Sequence, residues 1–145
     1  MIKVLIKKLN PAVRLPEYKT NGASGMDLIA FIEKSVSVKS KTSSIIPTGL
    51  SVAFQEKYEI QIRPRSGLAS KNNITVLNTP GTIDSDYRGE IKVIIYNHGD
   101  DDFIINNGDR IAQMVLSPVV KIEFEETNDL SETIRGEGGF GSTGK

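Results

Sequence analysis

Cysteine and tryptophan are absent from this 145-residue sequence, and histidine occurs once, as His98. Zinc sites built on thiolates, cysteine nucleophiles and zinc deaminases of the H-x-E with P-C-x-x-C type are therefore excluded. His98 itself stands in a loop rich in Asp, and we interpret it as a surface residue. The absence of cysteine gives no information about the redox compartment.

An excess of charge of either sign is also absent, because 18 Lys and Arg balance 18 Asp and Glu. A neutral chain gives no general surface for polyanions, so nonspecific nucleic-acid binding is not expected. The N-terminal stretch MIKVLIKKLN is too short and too charged for a signal peptide, and no apolar run approaches the length of a membrane span. We expect a soluble, cytoplasmic protein whose partners include neither nucleic acid nor a membrane.

Helical periodicity is nearly absent, and short apolar stretches separated by Gly, Pro, Asn and Asp take its place. Many short strands at this spacing predict a single all-β domain, a barrel or a sandwich. The predicted strands are Val4 to Ile6, Ile45 to Ile46, Leu50 to Phe54, Tyr58 to Ile62, Ile74 to Leu77, Ile91 to Tyr96, Phe103 to Ile105, Ile111 to Leu116 and Val119 to Phe124. One short helix is predicted over Ser66 to Lys71, with Ser66 as a possible N-cap and Asn72 and Asn73 as its stop.

The acidic turn that contains Asp84 lies between two strand-like segments, ITVLN and IKVIIYN, and predicts a hairpin over Gly81 to Val93. Asp84 and its acidic neighbours could simply form the turn. Tyr87 favours a functional alternative, because a ring at a hairpin tip can pack against a sugar while a nearby carboxylate acts on water. The residues of the turn alone leave both interpretations open.

The segment Pro64 to Gly67 places a guanidinium, a hydroxyl and a glycine just ahead of the predicted helix, which is an arrangement suited to phosphate. A surface turn with a solvated Arg65 is the alternative. Gln113 and Asp27, each considered alone, are most simply an outward polar residue on a strand and a loop-binding carboxylate. These single signals do not decide between structure and function.

The C-terminal stretch from Arg135, RGEGGFGSTGK, changes composition abruptly. Its glycines match G-x-G-x-x-G, but that fingerprint requires a preceding strand and a following helix, so we reject a dinucleotide site. Two interpretations stay open, a disordered tail or a lid in which Arg135 meets phosphate and Phe140 stacks on a base.

Five segments carry a resemblance when they are taken together and in order. They are ASGMDL at 23–28, PRSGLA at 64–69, GTIDSDYRGEIKV at 81–93, GDRIAQMVL at 108–116 and RGEGGFGSTG at 135–144. Over nearly the whole chain they resemble the five motifs of the trimeric deoxyuridine triphosphatases (dUTPases). The resemblance implies a jelly-roll-like β barrel over 1–134, a flexible Gly-rich arm over 135–145 that closes over the site, and a homotrimer whose active sites are shared between subunits.

The resemblance also implies an activity, the Mg²⁺-dependent hydrolysis of dUTP to dUMP and pyrophosphate. This reaction keeps uracil out of DNA and supplies dUMP for dTMP synthesis. In this family pattern Asp84 activates the water that attacks the α-phosphorus, and Tyr87 packs under the deoxyribose. Asp27 is expected near the Mg²⁺, through water. The implied uracil contacts are Asn78, Thr82, Ile83 and Lys92, and the implied phosphate and arm contacts are Arg65, Ser66, Gly67, Gln113, Arg135, Phe140, Ser142 and Thr143.

Two rival functions are weighed against this one. A dCTP deaminase on the same fold needs a Glu beside C4 of the base, and Ile74 to Tyr87 contains no Glu. A catalytically inactive nucleotide-binding relative is expected to lack Asp84 or the arm, and the sequence has both. Hydrolysis of dUTP is therefore the favoured prediction.

Overall fold

The computed structural model describes residues 2–141 and contains, in that range, eleven strands and one short helix. The strands are β1 Leu5–Lys8, β2 Met26–Ile29, β3 Val36–Val38, β4 Ser43–Pro47, β5 Leu50–Ala53, β6 Tyr58–Arg63, β7 Ile74–Val76, β8 Gly81–Ile83, β9 Lys92–Asn97, β10 Phe103–Ile105 and β11 Arg110–Pro118, and the helix is α1 Ser66–Asn72. The predicted all-β class is confirmed. No helix among the described residues is long and apolar enough to span a membrane.

The strands pair antiparallel in four sheets over residues 2–141. The largest has the order β2-β11-β6-β8, the second has the order β4-β9-β7, and two pairs, β1-β5 and β10-β3, complete the set. The nine-residue β11 pairs on both sides, and its residue Gln113 lies opposite Asp27 of β2 and Arg63 of β6. This strand therefore brings separate parts of the sequence side by side.

The core forms where alternate residues of facing strands point inward. In β9 the buried positions are Val93, Ile95 and Asn97, as the period of two requires. The amide of Asn97 donates to the carbonyl oxygens of Val38 at 3.0 Å and Asp101 at 2.8 Å, so this buried polar group is satisfied. The sheets are thus held on one contiguous apolar core.

The two strands predicted to flank the acidic turn, ITVLN and IKVIIYN, pair as β7 and β9, but the segment over Gly81 to Val93 does not form a simple hairpin. Strands β7 and β9 do pair, but β8 leaves them and pairs with β6 in the other sheet. Gly81 permits this close approach, because a Cβ there would lie 3.2 Å from Cβ of Ile62. Between β7 and β9 the chain therefore leaves one of the two larger sheets, adds β8 to the other, and returns.

The strand predicted over Val119 to Phe124 is not formed in this chain. Strand β11 ends at Pro118, and the stretch that follows is exposed. Val120, Ile122 and Phe124 keep the alternation of a strand, with Phe124 at 89% exposure, but no strand of the described chain pairs with them. An alternating pattern produces a strand only where a partner strand is available.

The predicted helix is confirmed, with one correction at its start. Asn73 adopts the left-handed conformation, with φ of 56°, and ends the helix as expected. Arg65, and not Ser66, occupies the N-cap position, in an extended conformation and without a side-chain capping hydrogen bond. The Ser66 side chain is therefore not used to cap the helix.

Candidate active site

Four residues from three separate parts of the sequence, Asp27, Arg65, Arg110 and Gln113, form one polar cluster near the start of β11. The guanidinium of Arg65 donates from Nε to Oδ1 of Asp27 at 2.8 Å, and that of Arg110 lies with Nη1 3.3 Å from Oδ2. Arg65 also donates to the carbonyl oxygen of Arg110 at 3.3 Å. Because Asp27 and Arg65 are largely buried, this ion pair fixes the arginine in place with little competition from water.

Gln113 of β11, which lies opposite Asp27 of β2, supports the same cluster. Its Nε2 donates to the carbonyl oxygen of Pro64 at 3.0 Å, which holds the backbone just before Arg65. Gly25 makes room for this side chain, since a Cβ there would lie 2.7 Å from Oε1 of Gln113. Gly25 of the first motif is therefore needed so that Gln113 of the fourth motif can pack against it.

Arg110 belongs to the same cluster, and sequence reasoning did not identify it as a candidate. It begins β11 inside the segment GDRIAQ, and its guanidinium is about half exposed on the open side of Asp27. The available signal was its place in the fourth motif, three residues before Gln113; in the structure it lies opposite Ile29 of β2, two residues along from Asp27. Its charge adds to that of Arg65, so the cluster can bind an anion such as phosphate.

Ser66 and Gly67 lie exposed in the first turn of α1, directly after Arg65. A Cβ placed on Gly67 would meet no described atom within 4 Å, so the backbone here is open to an approaching group. Both residues are therefore close to the Arg65 cluster in sequence and accessible.

Asp84 and Tyr87 lie in the loop that follows β8. Asp84 is exposed, and its carbonyl oxygen accepts from the Tyr87 amide at 3.1 Å, which closes a turn. The Tyr87 hydroxyl donates to the carbonyl oxygen of Glu90 at 3.0 Å. A depression of about 350 Å³ beside Asp84 is lined by Glu56, Tyr58, Glu59, Ser85, Asp86, Val119 and Lys121. Asp84 therefore stands free to contact water or a ligand.

Three of the four residues predicted to read uracil, Asn78, Thr82 and Ile83, lie in β8 or just before it. Asn78 precedes it and lies 3.4 Å, through Nδ2, from the position a Gly81 Cβ would take. Thr82 and Ile83 belong to β8, which is the last strand of its sheet, so part of their backbone faces away from β6. Lys92 begins β9 and is exposed, with Nζ 3.7 Å from Oε2 of Glu90.

Within one chain, Asp84 is well separated from the cluster of Asp27, Arg65, Arg110 and Gln113. Strand β8 runs antiparallel to β6, with Gly81 opposite Ile62 and Ile83 opposite Ile60. Asp84 therefore follows the end of β8 that is remote from Arg65, roughly 10 Å or more along the strand direction at about 3.3 Å per residue. One chain does not bring the carboxylate of Asp84 to the Arg65 cluster.

The arm residues are separate again. The Arg135 guanidinium donates from Nε to the carbonyl oxygen of Gly138 at 2.8 Å, and Arg135 and Phe140 are exposed. Ser142 and Thr143 lie outside the described residues. Among residues 2–141, Arg135 makes no ion pair with Asp27.

No group of three or more His, Asp or Glu side chains in residues 2–141 is arranged to hold a metal ion. Asp27 is the carboxylate predicted near Mg²⁺, and both of its oxygens face guanidinium groups. This arrangement suits a Mg²⁺ bound mainly by triphosphate oxygens, with Asp27 acting through water, because Mg²⁺ commonly keeps several waters at such sites. It does not suit an all-protein metal cage.

Comparison with known proteins agrees with this geometry. A family model described as dUTPase matches residues 12–144. The chain is 57% identical over 143 residues to a deoxyuridine 5'-triphosphate nucleotidohydrolase of Rickettsia bellii (strain OSU 85-389), covering 98% of this chain and 95% of the relative. It is 55% identical over 145 residues to the protein of the same name from Rickettsia prowazekii (strain Madrid E), covering 99% and 98%.

Solved structures show the same fold. The dUTPase of Staphylococcus bacteriophage 80alpha, solved with dUPNHPP, superimposes with a TM-score of 0.85 at 26% identity, covering 99% of both chains. A phage phi11 dUTPase whose structure describes a structural Mg(II) ion is similar in fold, with a TM-score of 0.78 over 90% of this chain and 99% of the phage chain, at 21% identity. With a family match over residues 12–144 and relatives above 50% identity along almost their whole length, this chain belongs to the dUTPase family.

Proposed function

We propose that this protein hydrolyses dUTP to dUMP and pyrophosphate, with Asp84 as the general base. The observation that carries the proposal is the convergence of Asp27, Arg65 and Gln113 on one anion-binding cluster, in a chain 57% identical to a deoxyuridine triphosphate nucleotidohydrolase. A phage dUTPase of the same fold was solved with dUPNHPP, a dUTP analogue. In a cell this reaction would keep uracil out of DNA and supply dUMP for dTMP synthesis.

The reaction needs one base and a positioned phosphate chain. Asp84 would take a proton from water as its oxygen attacks the α-phosphorus, and the bond from that phosphorus to the oxygen bridging to the β-phosphate would break. General-base action contributes about 10² to 10⁴-fold, so phosphate positioning by Arg65, Gln113 and the arm has to supply the larger part. We assign further phosphate contacts to Ser66 and Gly67, and to Ser142 and Thr143 of the arm.

Magnesium would neutralise negative charge on the triphosphate and help to fix its conformation. The chain itself would contribute Asp27, through water, and the oxygens of the nucleotide would be the main ligands. The Asp27 carboxylate is already balanced by Arg65 and Arg110, which leaves it able to orient water without repelling the phosphates.

Uracil recognition is assigned to Asn78 and to the backbone around Thr82, Ile83 and Lys92. Uracil offers an acceptor at O4 and a donor at N3, whereas cytosine reverses both, and such a buried mismatch discriminates by about 10⁴ to 10⁵-fold. The position of β8 at the edge of its sheet supports this assignment, because the backbone groups that face away from β6 have no strand partner among residues 2–141.

A homotrimer with shared active sites is part of the proposal. The separation of Asp84 from the Arg65 cluster within one chain supports it, and so does the exposed row of Val120, Ile122 and Phe124. Apolar side chains in such a row are typical of a surface that is covered in an assembly. A mass measurement in solution tests the trimer, and a monomer at micromolar concentration would refute it. For a free nucleotide as substrate, we propose the cytoplasm as the compartment.

The central test compares the wild-type protein with Asp84→Asn. With Mg²⁺ the wild type should convert dUTP to dUMP and pyrophosphate, whereas Asp84→Asn should bind the nucleotide and lose about 10² to 10⁴-fold in kcat. Normal turnover by Asp84→Asn would refute the assigned base. Release of ammonia from dCTP in a parallel incubation would instead favour a deaminase.

The arm has a test of its own. Removal of residues 136–145 should leave the fold intact, because the described part of this segment is mostly exposed and forms no strand. Turnover should nevertheless collapse, since Phe140 and the phosphate contacts are lost. Circular dichroism and pyrophosphate release measure the two effects, and full activity of the truncated protein would show that the arm is not a lid.

A further inference from the structure

Three hydrogen bonds tie residues 90 and 91 to the turn between β4 and β5. The Gly49 amide donates to Oε1 of Glu90 at 2.8 Å, the Thr48 hydroxyl donates to the Ile91 carbonyl oxygen at 2.6 Å, and the Ile91 amide donates to the Leu50 carbonyl oxygen at 2.8 Å. Thr48 is 1% exposed and the Glu90 side chain 20% exposed, so water competes little for these bonds. The backbone at Glu90 is therefore fixed relative to the core.

Tyr87 is attached to this fixed point. Its hydroxyl donates to the Glu90 carbonyl oxygen at 3.0 Å, which folds the ring back along the loop. The ring then crosses Gly89 so closely that a Cβ there would lie 2.3 Å from the hydroxyl oxygen and 2.5 Å from Cζ. Any residue with a side chain at position 89 would displace the ring.

We propose that Gly89 and Glu90 are positioning residues that set the discrimination between deoxyribose and ribose, by holding the Tyr87 ring across Gly89 and against the Glu90 carbonyl. The inference rests on the proposed function, in which Tyr87 packs under the sugar. Gly89 provides the space, the Glu90 backbone provides the acceptor, and the Glu90 carboxylate anchors that backbone to Gly49.

A fixed ring matters because Tyr87 has no core to hold it. Tyr87 is 43% exposed, and among residues 2–141 its hydroxyl forms a hydrogen bond only with the Glu90 carbonyl oxygen. A surface that excludes a 2′-hydroxyl by contact has to stay within a few tenths of an ångström of its position. A ring free to change rotamer would yield to the extra oxygen, and UTP would then be accepted.

The test compares kcat/KM for dUTP with kcat/KM for UTP in Gly89→Ala, Glu90→Ala and Glu90→Gln. Gly89→Ala and Glu90→Ala should lower the dUTP to UTP ratio by roughly tenfold, which is the effect of about one lost hydrogen bond. Glu90→Gln should keep the wild-type ratio, because its amide oxygen can still accept from the Gly49 amide. In Gly89→Ala and Glu90→Ala, KM for dUTP should rise and the preference for deoxyribose should weaken, while kcat for dUTP changes less.

Two matched controls separate positioning from general destabilisation. Gly22→Ala adds the same methyl group at an exposed glycine where an added Cβ would have no described atom beyond its chain neighbours within 4 Å, and Glu33→Ala removes an exposed carboxylate from the loop before β3. Both controls should keep the wild-type ratio. If Glu90→Ala fails to fold, Gly89→Ala, which only adds a methyl to a surface loop, still decides the question.

A measurement without nucleotide makes the result independent of the proposed function. In the wild type, NMR should show a nuclear Overhauser contact between the Tyr87 ring and the Gly89 α protons, and Glu90→Ala should weaken it. A wild-type protein that does not turn over dUTP would refute the proposed function, while this contact would still test the clamp. The inference would be overturned if Glu90→Ala lost this contact but kept the wild-type dUTP to UTP ratio. It would also be overturned if Gly89→Ala and Glu90→Ala both kept the contact between the ring and residue 89 and the wild-type ratio.

Discussion

Two inactive variants of this protein, Asp84→Asn and Arg65→Ala, should regain activity when their chains are assembled together. Strand β8 starts opposite Ile62 and ends opposite Ile60, so Asp84 leaves the sheet at the end remote from Arg65. In the proposed trimer a site therefore combines Asp84 of one chain with Arg65 of another. A chain that lacks one residue can then supply the other.

The size of the recovery follows from counting sites. Random assembly of equal amounts gives about three quarters mixed trimers, and each mixed trimer contains one site in which both residues are intact, so about one quarter of wild-type turnover should return. The separate variants should be far below this level, because loss of a general base alone removes about 10² to 10⁴-fold. The expected recovery is thus well above the background.

The assay is pyrophosphate release from dUTP after the two variants are unfolded together and refolded. Each variant carried alone through the same procedure gives the baseline, and wild type carried through it corrects for refolding losses. Activity of the mixture equal to the sum of the two separate variants would refute the reasoning. Asp84 and Arg65 would then have to act from the same chain, against the register of β8 on β6.

Two further substitutions test the Arg65 cluster from either side. Gly25→Ala places a methyl group 2.7 Å from Oε1 of Gln113. It should lower the free energy of unfolding by about 1–3 kcal/mol and raise KM, whereas Gly22→Ala should change neither, as urea unfolding and steady-state kinetics will show. Asp27→Asn removes the charge that holds Arg65, so KM for dUTP should rise by about tenfold, a cost of about 1.4 kcal/mol that fits the loss of a charge-assisted hydrogen bond. An unchanged KM would contradict that role.

Strand positions could be predicted from the sequence wherever the period of two coincides with an available neighbour. In β9 the pattern gives Val93 and Ile95 as inward residues, and the structure buries both. Asn97 continues the same inward row, but a polar residue gives no local sign of burial. Its acceptor on Val38, 59 residues away in sequence, is available only after β3 and β9 have packed against one another, although the acceptor on Asp101 is local.

Two departures from the predicted strand pattern, the missing strand over Val119 to Phe124 and the pairing of β8 with β6, share one physical cause. Alternation of apolar and polar residues indicates a tendency to form a strand. Whether that strand pairs depends on which sheet edges are free to accept it. Val120, Ile122 and Phe124 alternate with charged residues as a strand requires, yet the described chain provides no partner for them. Gly81 begins a strand that pairs with β6 and not with β9, because a glycine can approach Ile62 closely. Neither choice is visible in a short window of sequence.

The separation of Asp84 from the Arg65 cluster follows from the strand order of the four-stranded sheet, β2-β11-β6-β8. Asp27 and Arg65 meet because β11 lies between β2 and β6, an order that no spacing in the sequence encodes. The same order fixes where Asp84 goes. Strand β8 adds to β6 antiparallel and starts at the Arg65 end, so the residue after β8 emerges at the opposite end. In the proposed trimer, a site that uses both groups on one nucleotide therefore draws them from two chains, and turnover should then depend on assembly.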